Sequence, residues 1–522
     1  MPWENNFPMA LNLIYQIHRS VLLNEFLLLK DMKSDLSSSF KSPHFKKLLT
    51  QYEEMIRQHT SIYFEGNELT LLAEYYASRK MVSQSKEVLQ YALSIHPDNL
   101  DIQLYLCHTL LAEGKLAEAE KILNSLSDQE DSEVNLLRAT IYLEKNELEK
   151  AEEIFMATSI QPENSEDIFI FLDIADIYMD FNMGKQAYTW LKKAYKKEQN
   201  NMNVWESLFD FHYTFGNINR AILYCNKLLD ENSYEIDYWL NLTRCYIKQL
   251  KFQEALEAVD FALAIDENHL TALELKGLCY IQLGEMEKGC KCFSAIENSS
   301  PNRDQIYQVI SECYFSVQNY EKSIEYLTKC LNIKSLSNFE YASTLQKRAL
   351  AYLFLNELDL CKKDIDLGIS YDEQYDYLYL TLGEYYILQG EEKKAQREMS
   401  YAEALASDKK EIKIEIANIY YRNEKFDEAL TYYIRLEKEY PNFMPAYQYI
   451  MACCYYRKND EQNTIKYLVK ALHSSDCQNY TELIKSIIEK EGALPQLVDK
   501  LQQMIKDGLI DPHDFSDEES VS

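Results

Sequence analysis

A small residue returns along this chain about every 34 residues, and that period narrows the possible folds more than any other feature. It stands at Ala119, Ala151, Ala187, Ala221, Ala255, Gly289, Ser323, Cys361, Ala395 and Ala429. Nine residues earlier, most copies carry a tyrosine: Tyr142, Tyr178, Tyr246, Tyr280, Tyr314, Tyr352, Tyr386 or Tyr420. Three residues before that comes a second small position, at Ala139, Ala175, Gly277, Ala349, Gly383 and Ala417. A large apolar residue follows the first small one by four, as in "YYRNEKFDEALTYY" from Tyr420. Two antiparallel helices joined by a tight turn explain the pattern. Small residues let the two backbones cross closely, and large ones fill the gaps around the crossing. The turn is expected at Gly114, Gly216, Gly284 and Gly390, and at Asn146, Asn182, Asn356 and Asn459, where a left-handed residue can close the first helix. Pro97, Pro162, Pro301 and Pro441 should end second helices. A lone hairpin cannot bury its apolar face, so the copies must stack.

Trp205 and Trp239 occupy an aromatic position sixteen residues before the alanine. The fullest copies are "WLNLTRCYIKQLKFQEALEAVDFALAI" from Trp239 and "LELKGLCYIQLGEMEKGCKCFSAIENSSP" from Leu273. Together these positions resemble the tetratricopeptide repeat family, whose pattern is W-x2-L-G-x2-Y…A-x3-F…P. About twelve copies run from near Gly66 to near Cys477. The resemblance implies an all-α, right-handed superhelical solenoid of about twelve helix hairpins with helical caps. Residues 1–65 lie outside the repeat and are expected to form an N-terminal helical cap or docking segment, with helices near 8–31 and 43–60. The solenoid is expected over 66–477, C-terminal capping helices over 478–508, and a disordered acidic tail over 509–522.

The formal charge of −30 disfavours nucleic acid and anionic membrane surfaces. Residues 1–12 lack the basic and small-residue features of a signal peptide. The apolar stretch that follows is broken by His18, Arg19, Asn24, Glu25 and Lys30, so it reads as an amphipathic helix, not a membrane anchor. The twelve cysteines show no metal-ribbon spacing and suit reduced core thiols in a cytoplasmic protein. Phosphate-loop, metalloprotease and nucleophile-elbow motifs are missing, and the nine histidines are scattered. No catalytic, cofactor-binding or metal-binding residue is therefore predicted, and the chain reads as a non-enzyme. His212 replaces the repeat tyrosine and is expected in the core. His108 falls on a groove-facing register.

In the resembled family the first helix of each hairpin lines a concave groove. Carried over by register, that surface includes Asp176, Asp180, Glu206, Asp210 and Asp237 toward the N-terminal half. Toward the C-terminal half it includes Phe315, Leu353, Phe354, Tyr377, Tyr421, Tyr449 and Tyr456. Core packing between tightly wound hairpins would use the same apolar positions. The basic residues on this register, Arg244, Lys248, Arg422 and Arg457, do not form the clamp by which some family members hold an acidic peptide. The expected function is a protein–protein interaction scaffold whose groove binds a protein or peptide segment with basic and apolar residues. The alternatives are a peptide-responsive sensor-regulator with the N-terminal helices as output, and a non-catalytic accessory subunit of a larger enzyme complex.

Overall fold

In the computed structural model each repeat tyrosine ends a helix. The Tyr246 carbonyl accepts from the Lys251 N–H at 2.9 Å, and the Ile247 carbonyl from the Leu250 N–H at 2.9 Å. This nested pair is a Schellman closure, which satisfies carbonyls that a helix end leaves open. The same bonding recurs after Tyr142, Tyr178, Tyr280, Tyr314, Tyr352, Tyr386 and Tyr420. The turn residue has positive φ at Gly114, Gly216, Gly284, Gly390, Asn146, Asn182, Asn356 and Asn459, as the repeat predicts. Leu250, Gln318 and Glu424 share that conformation, with φ of 58°, 62° and 59°. For a leucine the left-handed region is strained, and Leu250 is exposed, so no packing compensates. Leu250→Asn should raise the thermal midpoint, with a gain of roughly 1 kcal/mol from removing that strain.

The structure describes residues 40–473 apart from 41, 59, 80, 127, 161–167, 301–302, 334–335 and 441–444, together with Val498, Leu501 and Gln503. Among the described residues there are twenty-five helices and no strand. The first, Pro43–Gln58, buries Phe45, Leu48, Tyr52 and Met55 in one core with Leu69, Leu72, Ala73 and Tyr76 of the first hairpin. Twelve hairpins follow, from Gly66–Ser78 with Val82–Ile95 to Pro445–Arg457 with Glu461–His473. The described residues form two compact units that divide between Leu275 and Lys276. Pro97 follows the helix Val82–Ile95, whereas Pro162, Pro301 and Pro441 lie outside the described residues. So do the helix predicted near 8–31, most of the segment predicted to cap the C-terminus, and the 509–522 tail.

The small positions meet as the period demands. Ser85, in the alanine slot, donates its hydroxyl to the Ala73 carbonyl at 2.8 Å. A Cβ on Gly289 would stand 3.1 Å from the Gly277 carbonyl, and one on Gly383 3.4 Å from that of Ala395. Ala139, Ala151, Ala175, Ala187, Ala221, Ala255, Ala349 and Ala417 are wholly buried.

His212 is 4% exposed and stacks on Tyr224 with ring centroids 5.8 Å apart. Its Nε2 has no hydrogen-bond partner among the described residues. Burial, helped by Arg220, lowers its pKa to about 4. The unfolded chain therefore takes up this proton first, and the stability that the neutral ring retains at pH 7 is lost as pH falls from the ordinary histidine range toward 4. His212→Tyr restores the repeat residue. It should stabilise the chain, with a margin over the parent that widens between pH 7 and pH 4 in thermal denaturation.

Candidate functional site

One hairpin departs furthest from the common length. The step from Gly289 to Ser323 is 34 residues, but that from Ser323 to Cys361 is 38. The four extra residues add a turn to Asn338–Phe354, which has 17 residues where its neighbour Asp376–Leu388 has 13. Ser337 and Glu340 cap that turn reciprocally, each side chain bonding the other's backbone N–H. The turn projects Phe339, whose ring meets Tyr375 edge-on at 5.3 Å.

Phe339 lies at the edge of a cavity of about 650 Å³ within the unit that starts at Lys276. Its walls come chiefly from the first helices of four successive hairpins: Arg303–Ser316, Asn338–Phe354, Asp376–Leu388 and Lys409–Arg422. The inter-hairpin turns around Asp372–Asp376 and Leu405–Asp408 complete it. Phe315, Leu350, Tyr377 and Leu380 supply apolar surface. Asp408 accepts from the Lys410 and Glu411 N–H groups at 2.9 and 3.0 Å and so starts the last of these helices.

Polar pairs about one repeat apart link the walls like rungs. Lys347 bonds Glu312 at 2.5 Å. Gln346 donates to the Thr381 hydroxyl at 2.8 Å, and the Tyr377 hydroxyl donates to Glu411 at 2.7 Å. Deepest is Arg422, which is bidentate to Glu384 and reaches Glu415 at 3.3 Å. The side chains of Arg422, Glu384 and Glu415 are 6%, 1% and 10% exposed. Burial raises the Glu415 carboxyl, and Arg422 only partly offsets this. Burial likewise raises the Tyr375 hydroxyl, and Asp376, Glu411, Asp372 and Glu312 push it the same way. Carboxylates from several elements thus converge on one aromatic ring.

The predicted acidic positions sit in the other unit. Asp210 is pushed up to about 8, by burial first and then by Asp176 and Glu206, although part of its surface still meets solvent. These three are therefore neighbours, and the Tyr238 hydroxyl donates to Glu206 at 2.5 Å. Asp180 is exposed at the end of Phe169–Asp180, and Asp237 is half-buried in the first turn of Ile236–Lys248. His108 is exposed, 3.5 Å from Glu133.

The apolar positions divide. Phe315 and Tyr377 are half-buried and line the cavity. Leu353, Phe354, Tyr421 and Tyr449 do not reach a groove, because adjacent side chains enclose them. Phe354 stacks on Tyr320 at 5.2 Å and meets Phe315 edge-on at 5.6 Å, so the preceding hairpin covers it. Tyr421 packs on Phe426 at 6.0 Å, and Tyr449 is wholly buried in the C-terminal core. Tyr456 is half-buried against that core. Register alone missed Glu312, Gln346, Lys347, Thr381, Glu384, Glu411 and Glu415. Complementary polar pairing about one period apart marks Glu312 with Lys347, Gln346 with Thr381, and Glu411 with Tyr377, but not Glu384 or Glu415.

Among the described residues no group of three or more His, Cys, Asp or Glu could hold a metal ion. No helix there is long and apolar enough to cross a membrane.

Sequence profiles described as tetratricopeptide repeat match residues 78–139, 304–335 and 415–442. The profile described as anaphase-promoting complex, cyclosome, subunit 3 matches 215–296. The TPR repeat-containing protein MJ1428 of Methanocaldococcus jannaschii is 24% identical over 156 residues, which cover 30% of this chain and 27% of that protein. Among solved structures, a tetratricopeptide repeat protein from Parabacteroides merdae is 19% identical, covering 48% of this chain and 98% of its own, with a TM-score of 0.37. The APC/C hetero-tetramer Cut9–Hcn1 gives 11% identity, 84% and 90% coverage and a TM-score of 0.33. With its period, its Schellman turns and its paired small residues, the chain is a tetratricopeptide repeat protein.

Proposed function

We propose that this protein is a non-catalytic interaction scaffold, and that the first-helix face of the unit beginning at Lys276 holds an extended segment of a protein partner with basic and apolar residues. The observation that carries the reading is the cavity itself. Four successive first helices present half-buried aromatic and carboxylate side chains in one recess of ligand-pocket size. Asp176, Glu206 and Asp210 give the other unit a second surface suited to basic residues. A cytoplasmic location belongs to the same proposal: the described cysteines are free thiols, as a reducing compartment keeps them.

A photo-crosslinking residue at Phe339 tests the reading, with Tyr401 on the second helix Glu392–Leu405 as the control site. Both side chains are exposed. Partners captured from source cells should crosslink through position 339. Capture through position 401 alone would overturn the reading. The match of 215–296 to the anaphase-promoting complex subunit profile favours a second reading, a non-catalytic accessory subunit of a larger assembly. Stoichiometric co-purification with several proteins at high salt would support it.

A further inference from the structure

We propose that the cavity selects one lysine or arginine side chain of the bound segment, and that its own two cations, Lys347 and Arg422, are internal counter-ions and not ligand contacts. The inference rests on the segment-binding role proposed above and specifies its chemistry.

Seven carboxylates line the cavity against these two cations. Arg422 is 6% exposed and already shared between Glu384 and Glu415. Lys347 is held by Glu312 at 2.5 Å and lies 3.4 Å from the Gln308 carbonyl oxygen of its side chain. Each cation is already paired with a carboxylate of the chain, so the recess reverses the logic of a carboxylate clamp. An excess of negative charge in a recess with apolar walls focuses the field on whatever enters. An acidic segment is repelled, and a neutral one gains nothing from that field. A cation on an aliphatic stem gains twice. Its head meets the converged carboxylates, and its stem lies against Phe315, Phe339, Tyr375 and Tyr377.

The test uses the full chain and acetylated, amidated pentapeptides with a central lysine, glutamine or glutamate flanked by leucines and alanines. In calorimetric titration at physiological salt, the lysine peptide should bind about tenfold tighter than the glutamine one, and the glutamate peptide should not bind. Lys347→Gln removes a cation and releases Glu312 to the ligand, so the lysine peptide should bind this variant several-fold tighter. Were Lys347 a ligand contact for an anion, no such gain would appear. Glu411→Gln should weaken the lysine peptide several-fold, with circular dichroism and the thermal midpoint confirming that both variants fold. Equal binding of the lysine and glutamine peptides overturns the cation inference but leaves the segment-binding reading intact. Failure of the lysine peptide to bind at millimolar concentration overturns the inference, and so does weaker binding to Lys347→Gln. Binding of spermidine without any peptide would assign the cavity to a free polyamine, and that too overturns it. Crosslinking through position 401 alone removes the segment-binding reading by a separate route.

Discussion

Replacing Arg422 with alanine should destabilise the helices Asp376–Leu388 and Lys409–Arg422 by about 3–5 kcal/mol, the cost of leaving buried charge without its partner. Glu384 and Glu415 are 1% and 10% exposed, so both are poorly solvated and rely on the guanidinium for compensation. The deficit should depend on pH. Glu415 is already held above the ordinary carboxylate range by burial, and losing Arg422 raises it further. A carboxyl whose folded pKa exceeds its unfolded one is stabilising at low pH and loses that contribution as pH rises. The variant should therefore be closer to the parent at pH 5 than at pH 8. Combining Arg422→Met with Glu384→Leu and Glu415→Gln should recover most of the loss, because uncharged groups of similar volume remove the cost of burying charge along with the pair, and the amide oxygen introduced at position 415 can still accept from Asn418. A stack of hairpins can open in parts, so hydrogen exchange is the suitable readout. Faster exchange confined to 376–388 and 409–422 is expected. Unchanged protection there would mean that Arg422 is not the keystone of this network.

Ala255→Leu should cost roughly 1–3 kcal/mol or more by overpacking a helix crossing. Ala255 is wholly buried, and the twelve-residue register by which Ser85 meets Ala73 pairs it with Thr243, also wholly buried. The Thr243 hydroxyl is occupied by the Trp239 carbonyl at 2.8 Å, so that side chain is fixed and cannot make room. Gln253→Leu adds the same side chain at an exposed position of the same helix and serves as the control. A fall in thermal midpoint for Ala255→Leu but not for Gln253→Leu is expected. Equal midpoints would show the register to be wrong.

The hairpins were legible because each rests on contacts that recur. A tyrosine at a helix end, a turn residue four positions on and an alanine five beyond that constrain one another locally. Repetition then averages out the individual departures. Leu250, Gln318 and Glu424 are such departures: residues of ordinary type take up the left-handed turn because the helices on either side impose it. Ser85 in an alanine slot is another, since its hydroxyl finds the Ala73 carbonyl across the crossing.

The site was legible only in part. Register places Phe315 and Tyr377 on the first helices, and both line the recess there. It fails for Leu353, Phe354, Tyr421 and Tyr449, because whether such a position is open or covered depends on how closely the surrounding helices pack. Phe354 illustrates this: Tyr320, from the preceding hairpin, lies flat against it.

By itself, then, the sequence determined the helix type, the pairing of helices into hairpins, the closing turns and the crossing points, all of which rest on short separations within one period. Tertiary structure alone decided where the recess opens and what charge it presents. The recess depends on one extra turn in Asn338–Phe354 and on polar rungs such as Lys347–Glu312, Tyr377–Glu411 and Arg422–Glu384, between residues 34–38 apart in sequence. A rung forms only when two helices are already docked. Its energy comes from excluding water around both partners at once, which no single residue in the sequence reveals.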